Sequence, residues 1–165
     1  MQAEPTFGDL LEKAAQGCCI RNDASLFSLA LPIEGVDPLL QFQVLSANEE
    51  FSCIWDTSPD LCFVATGKCQ HFELAGGRRF EVAQRFSDST LGRIIDISPN
   101  VPSHALPKTL FAFSFFEQKS ERKNNLVQSP AIQAVLPRWQ LSGIGRNCWL
   151  RLNGVITHEA DVREL

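Results

Sequence analysis

AIQAVLPRWQLSGIGRNCWLRL is the sequence of residues 131–152. It contains two apolar, strand-like runs, residues 131–141 and 147–152, on either side of Ser142-Gly143-Ile144-Gly145. Short apolar runs separated by a glycine-containing turn are typical of a β-hairpin. The sequence therefore predicts two antiparallel strands here. Gly143 and Gly145 are assigned to the turn rather than to a nucleotide-binding loop, because the GxGxxG spacing is missing.

Working towards the N-terminus, the aromatic run LFAFSFF at residues 110–116 predicts a strand. Because it is apolar at nearly every position, we expect a central strand that is buried on both faces, with Phe111, Phe113 and Phe115 on one of them. Residues 98–108 contain three prolines and predict a loop. Residues 119–129 are polar and charged and predict a solvated loop.

The first half of the chain alternates between strand and helix patterns. Three short runs, residues 51–55, 61–67 and 69–74, predict an antiparallel meander with turns at residues 56–60 and at Gly67-Lys68. Residues 26–31 predict a further strand.

Helices are predicted in three places. Residues 7–16 follow a cap-like start, Asp37-Pro38 places a cap before a proline at the first helical position, and residues 78–95 have apolar side chains at helical spacing. The fold class predicted for residues 1–165 is therefore α+β, with a mostly antiparallel sheet and packed helices in a single domain.

Composition and charge indicate which kinds of partner the chain does not bind and in which cellular compartment it is expected. The chain has a net charge of −4 and no basic block, which argues against nucleic acid and anionic membranes as partners. Its apolar runs are strand-sized, and its first residues resemble neither a signal peptide nor a transit peptide. We therefore expect a cytoplasmic protein whose six cysteines are free thiols.

Few residues carry recognisable chemistry. Cys62, Cys69 and His71 can be imagined as zinc ligands, but the CxxC knuckles of structural zinc sites are missing. Gly76-Gly77-Arg78-Arg79 precedes a predicted helix and is compatible either with an anion site or with a tight turn. Asp56 and Asp60 bracket a turn in which capping is the ordinary role of aspartate.

The histidines at positions 71, 104 and 158 are isolated from one another in sequence, and no nucleophile-and-base signature occurs. By residue chemistry alone the sequence therefore discloses no activity and singles out no catalytic, cofactor-binding or metal-binding residue, although convergence of distant residues in the fold could still make a site.

Several of these segments together resemble isochorismate synthases of the menaquinone and phylloquinone branch. The similar pieces are the Trp55–Asp60 turn, Val64–Lys68, Leu74–Phe80, Phe111–Phe115 and Leu136-Pro137-Arg138-Trp139, of which the last is the most specific. They cover residues 50–152, whereas residues 1–45 match less clearly because the N-terminal region of that family is variable.

The resemblance implies the N-terminal half of a chorismate-binding α+β sandwich. It also implies an isomerase that converts chorismate to isochorismate with magnesium. In that family the base lysine, the acid glutamate and the glutamates that bind Mg²⁺ all lie beyond the Pro-Arg-Trp strand, so no residue here inherits a catalytic or metal role. The resemblance thus implies a fragment that is inactive alone, with a separately encoded C-terminal catalytic half as its expected partner.

Three alternatives stay open. Anthranilate and aminodeoxychorismate synthase large subunits share the fold, but many carry Leu-Leu-Glu-Ser near the N-terminus, whereas this chain has Ser25-Leu26-Phe27-Ser28. The second alternative is a stand-alone ligand-binding or subunit-interaction module. The third is a structural remnant with no function of its own.

Overall fold

The computed structural model of the protein describes residues 25–57, 60–75, 77–98, 100–115 and 130–156. Within these residues the strands are β1 (Ser25–Ile33), β2 (Ser52–Asp56), β3 (Cys62–Leu74), β4 (Ile94–Asp96), β5 (Leu110–Phe113), β6 (Ile132–Ile144) and β7 (Asn147–Ile156). The helices are α1 (Pro38–Ser46), α2 (Arg79–Arg93) and a short 3₁₀ turn at Ser103–Ala105. The predicted helix at 7–16 and the predicted loop at 119–129 lie outside the described residues.

All the described strands belong to one sheet, in the order β2-β3-β6-β7-β1-β4, with β5 also paired to β6. Every pairing is antiparallel except the one between β1 and β4. The helices pack on this sheet, which confirms the predicted α+β class with a mostly antiparallel sheet. None of the helices in the described part of the chain is long and apolar enough to cross a membrane.

Strand β6 is the centre of the sheet. It pairs with β3 along its whole length, while its other side pairs with β5 at Ile132–Val135 and with β7 at Trp139–Ile144. The predicted hairpin between β6 and β7 is confirmed, and both strands are longer than expected. The predicted turn at residues 142–145 is wrong in its bounds, because Ser142, Gly143 and Ile144 pair with β7 as part of β6. The turn is formed by Gly145 and Arg146, where Gly145 has a φ of +59°.

The two α-helices, α1 and α2, begin where the sequence predicts. The carboxylate of Asp37 accepts a hydrogen bond from the backbone N–H of Leu39, and Pro38 occupies the first turn of α1. Helix α2 starts after Arg78, which has left-handed backbone geometry with a φ of 61°. It ends at Arg93, because Ile94–Asp96 leave the helix to pair with Leu26–Ser28 of β1 as strand β4. The prediction of a helix or two helical segments over 78–95 missed this strand.

The two helices cover different faces of the sheet. On the α1 face, the core contains Val64, Leu141 and Cys148, and these are surrounded by partly buried apolar side chains that include Phe42 and Leu45 of α1. On the other face, α2 contacts the far end of the sheet through aromatic pairs, Phe86 with Phe72 and Phe80 with Phe113.

The predicted three-strand meander is wrong in its second turn. Residues 62–74 form one strand rather than two, and its register with β6 shifts between Lys68 and Gln70. Gly67 has a φ of +67°, a conformation that glycine adopts readily, so Gly67-Lys68 produces a kink in a continuous strand instead of a reversal. The partner strand β6 spans both halves and keeps them in line.

The prediction that the aromatic strand is central and buried on both faces is also wrong. Strand β5 has four residues and one described partner, and Phe113 is 39% exposed. Phe111 and Phe113 do share a face, as predicted, and both contact phenylalanines of α2. Phe115 lies past the end of the strand and is 88% exposed. The aromatic run therefore reflects contact with one helix, not burial between two layers.

This difference predicts unequal costs for truncating two neighbouring side chains. Ile132 is fully buried, so Ile132→Ala should lower the free energy of unfolding by about 2–5 kcal/mol. Phe113 pairs with Ile132 across the strands but stays partly in water, so Phe113→Ala should cost less than about 2 kcal/mol. Urea unfolding of both variants measures the two values, and a Phe113→Ala cost equal to that of Ile132→Ala would restore the central-strand interpretation.

Candidate functional site

A row of polar side chains lies on the inner face of the sheet, opposite the face that α1 covers. Five residues, called here the polar cluster, come from four strands that are otherwise apolar: Ser28, Asp96, Gln140, Arg151 and Asn153. The strand register places them together, since Gln140 pairs with Arg151 and Ser28 pairs with both Asn153 and Asp96. Asp96 reaches solvent, whereas the other four are buried.

Arg151 is the centre of the polar cluster and is only 1% exposed. Its Nε donates to the backbone carbonyl of Ala105 at 2.7 Å, and its Nη1 donates to Oδ2 of Asp96 at 3.0 Å and to the hydroxyl of Ser28. Burial lowers the pKa of Arg151, and the Asp96 carboxylate acts in the opposite direction. The guanidinium thus remains a buried cation that is neutralised by one carboxylate.

The polar cluster fastens the loop between β4 and β5 to the sheet. The Gln140 side chain accepts from the backbone N–H of Lys108 at 3.0 Å and donates to the carbonyl of Leu106 at 3.3 Å. Lys108 Nζ in turn donates to the carbonyls of His104 and Leu106. The loop carbonyls are therefore satisfied partly by Gln140 and Arg151 of the sheet and partly by Lys108 of the loop itself, and the loop covers the polar cluster.

The chemistry of the polar cluster is that of attachment rather than of catalysis. The Ser28 hydroxyl donates to Asn153 Oδ1 at 2.6 Å and accepts from Arg151, so no base stands beside it to take its proton. Among the described side chains, His104 Nε2 is buried without a hydrogen-bond partner. Burial, and secondarily the Lys108 ammonium, lowers the pKa of His104.

A second feature is a cavity of about 520 Å³ at one end of the sheet. It lies between the loop before α1, the β2–β3 turn and the β6–β7 turn, and its lining includes Asp37, Asp56, Cys62 and Arg146. Burial, followed by Asp56 and Asp37, raises the pKa of the Cys62 thiol. A thiol with a raised pKa is protonated at neutral pH and is a poor nucleophile, so the cavity is not set up for covalent catalysis.

The structure does not assemble the imagined zinc site. Cys62 and Cys69 lie on the same strand, seven residues and roughly 23 Å apart. No group of three or more His, Cys, Asp or Glu side chains within the described ranges could hold a metal ion. The residues that are described therefore do not form a magnesium site.

The other candidate residues have ordinary structural roles. Arg79 donates to the carbonyl of Ser114 at 3.0 Å and stacks over Phe80, while the exposed Arg78 lies 4.0 Å from Glu81, so the two arginines do not converge on an anion. Asp56 and Asp60 flank a turn closed by a hydrogen bond from Thr57 N to the carbonyl of Leu61. Gly76 and His158 lie outside the described residues, and His71 is exposed.

Sequence reasoning missed the polar cluster. Its signal is present in the sequence, because Ser28, Gln140, Arg151 and Asn153 interrupt apolar strands at positions that face the same way. No motif connects them, since Ser28 and Asn153 are 125 residues apart.

Comparison with known proteins decides the family. The family model described as "Chorismate binding enzyme" matches residues 12–165, which is most of the chain. The chain belongs to this family. A comparison with curated proteins gives no significant match.

Among solved structures, this chorismate-binding family member is similar to MenF, the menaquinone-specific isochorismate synthase from Escherichia coli. The TM-score is 0.51 at 16% sequence identity, and the match covers 94% of this chain and 32% of MenF. At this identity the likeness establishes a shared fold. The chain spans about a third of the length of that enzyme.

The polar cluster predicts that this family member depends strongly on Arg151. Arg151→Ala leaves the Ala105 carbonyl and the Ser28 hydroxyl without their donor, so we expect the free energy of unfolding to fall by about 3–5 kcal/mol. Arg85→Ala is the matched control, because Arg85 forms an exposed ion pair with Glu81 at 2.6 Å, and such pairs contribute about 0.5 kcal/mol. Urea unfolding compares the two variants, and similar losses would show that Arg151 acts as a surface residue.

The lowered pKa of His104 predicts that the free energy of unfolding depends on pH. Because its pKa is lowered in the folded protein, the unfolded chain takes up a proton first as the pH falls below about 6.5. Stability should therefore decrease as the pH drops through this range, until His104 is protonated in the folded protein too. Comparing urea unfolding of wild type and His104→Gln at pH 7.5 and 5.5 isolates the effect, and parallel losses in both proteins would contradict it.

Proposed function

We propose that this chain is the N-terminal part of an isochorismate-synthase-type enzyme that converts chorismate to isochorismate in menaquinone or phylloquinone biosynthesis. The observation that carries the proposal is the family match over residues 12–165. The resemblance of Leu136-Pro137-Arg138-Trp139 and its neighbouring segments to the isochorismate branch supports this reaction over the other reactions of the family.

The share of chemistry assigned to this part follows from its residues. The described residues contain no metal-ligand group, and the family resemblance puts the acid, the base and the Mg²⁺ ligands further along the enzyme, so the proposal assigns this chemistry to the remainder. This part would contribute a sheet and two helices against which the catalytic part packs. It acts in the cytoplasm, which agrees with the free thiols of Cys53, Cys62, Cys69 and Cys148.

Exposed apolar side chains support packing against a further part. Leu39, Leu40 and Val44 project from α1 into solvent, with Leu40 73% exposed. Trp55 is also exposed but lies on the opposite face of the sheet, since its neighbour Ile54 packs in the α1 core. Monomeric soluble proteins rarely leave large contiguous apolar patches uncovered. A protein that continues for the length of a whole isochorismate synthase has the material to cover them.

The proposal predicts that the chain needs the remainder of the enzyme for activity. The purified chain with chorismate and Mg²⁺ should give no isochorismate above background, as measured by chromatography. Adding the remainder, either as a separate polypeptide or fused to Leu165, should produce isochorismate.

A remainder in which the acid glutamate is replaced by glutamine is the control, since it should bind the chain and give no product. Turnover by the clean chain alone would contradict the proposal. Formation of anthranilate or aminodeoxychorismate from the assembled enzyme would favour the other branches of the family. A compact monomer that binds neither the remainder nor an apolar dye would favour the stand-alone module.

A further inference from the structure

The central strand β6 is continuous, but its pairing with the neighbouring strands is irregular around Pro137. On one side, the register with β3 shifts between Lys68 and Gln70, which leaves Cys69 as an extra residue in a bulge. On the other side, β5 stops pairing at Val135 and β7 starts at Trp139, so residues 136–138 have no strand partner there. Pro137 itself has no N–H to donate. The pairing of β6 is thus irregular at the same point on both sides: a bulge lies in β3 on one side, and no strand is paired on the other.

Strand β7 diverges from β6 at this point. Beyond Leu152 it pairs with β1 alone. The buried side chain of Asn153 bridges the opening, since its Nδ2 donates to the carbonyl of Pro137 at 2.8 Å while its Oδ1 accepts from Ser28. Gly154 lies against the ring of Phe27, and no side chain would fit at this position. The backbone of Gly154 therefore forms this side of the opening.

The divergence leaves a cleft of about 240 Å³. Its lining combines two cations with apolar and neutral groups: Lys68, Arg138, Cys69, Leu152, Asn153 and Val155, with Gly154 between the last two. No acidic residue lines the cleft itself, and the Glu49 carboxylate lies outside it, against Gly67 and beside the Cβ of Arg138. A space of this size accepts a small organic molecule rather than a large cofactor.

The two cations are available to an anion. Arg138 is exposed and forms no ion pair with another described residue. Lys68 lies 3.5 Å from Glu50, whose side chain is 89% exposed, and such a surface pair is weak and easily exchanged. Burial raises the pKa of Cys69 to about 11 in spite of the nearby Arg138, so this thiol stays protonated and adds no negative charge.

We propose that this cleft binds a small carboxylate with an apolar body. The Arg138 guanidinium has the fork geometry for two parallel hydrogen bonds to a carboxylate, and the Lys68 ammonium adds a second positive charge. Leu152 and Val155 contact the apolar body, and Asn153 holds the cleft open through its bonds to Pro137 and Ser28. The site lies within this chain, so the proposal does not depend on which reaction the whole enzyme performs.

The test uses benzoate as a carboxylate with an apolar body, with benzamide as its neutral counterpart and inorganic phosphate as a compact anion. Binding to the full chain is followed by isothermal titration and by amide shifts in NMR spectra. We expect benzoate to bind at least tenfold more tightly than either comparison compound, with the shifted amides close to Arg138 and Val155.

Two variants and one control locate the site. Arg138→Ala should weaken benzoate binding at least tenfold, and Arg138→Gln should do the same while keeping the stem of the side chain, which covers the case in which the alanine variant unfolds. Arg146→Ala is the control, because Arg146 lies in the turn at the other end of the β6–β7 hairpin and should leave binding unchanged. Equal affinity in the Gln variant and wild type, or phosphate binding as tightly as benzoate, would overturn the proposal.

Discussion

The buried charge of Arg151 is the interaction on which the rest of the structure depends. A guanidinium at the centre of a sheet is costly to bury unless its donors are satisfied. Here Nε donates to the Ala105 carbonyl of the covering loop and Nη1 donates to Asp96 on β4 and Ser28 on β1, whereas Nη2 is buried without a partner among the described residues. One side chain therefore joins three segments that are far apart in sequence, and it requires all three to be in place before its burial becomes favourable.

This requirement explains why the inner face of the sheet tolerates so many polar residues. Gln140 and Asn153 would be expensive to bury alone, but each bonds to a neighbouring segment. The loop between β4 and β5 is rich in proline. Besides the bonds that Lys108 makes within it, its backbone forms hydrogen bonds with Gln140 and Arg151 of the sheet. The face that α1 covers is the opposite case, since its core of Val64, Leu141 and Cys148 is apolar.

The sequence predicts the elements whose causes are local. The start of α1 follows from the capping of Leu39 by Asp37 and from Pro38, and the β6–β7 turn follows from Gly145, which has a positive φ. The errors occur where a distant partner decides. Residues 62–74 remain one strand because β6 runs beside both halves, and Ile94–Asp96 leave the helical pattern because β1 offers an edge. The polar cluster could not be predicted, because only the strand register brings its members together.

The position of β1 has a consequence for synthesis of the protein. It is the first described strand along the chain, yet it pairs with β7, and Ser28 meets Asn153 across a separation of 125 residues. While the chain leaves the ribosome, β1 therefore waits for its antiparallel neighbour until almost the whole segment has emerged. During that interval only the short strand β4 can pair with β1, so the apolar residues Leu26, Phe27 and Leu29 stay largely uncovered until late in synthesis.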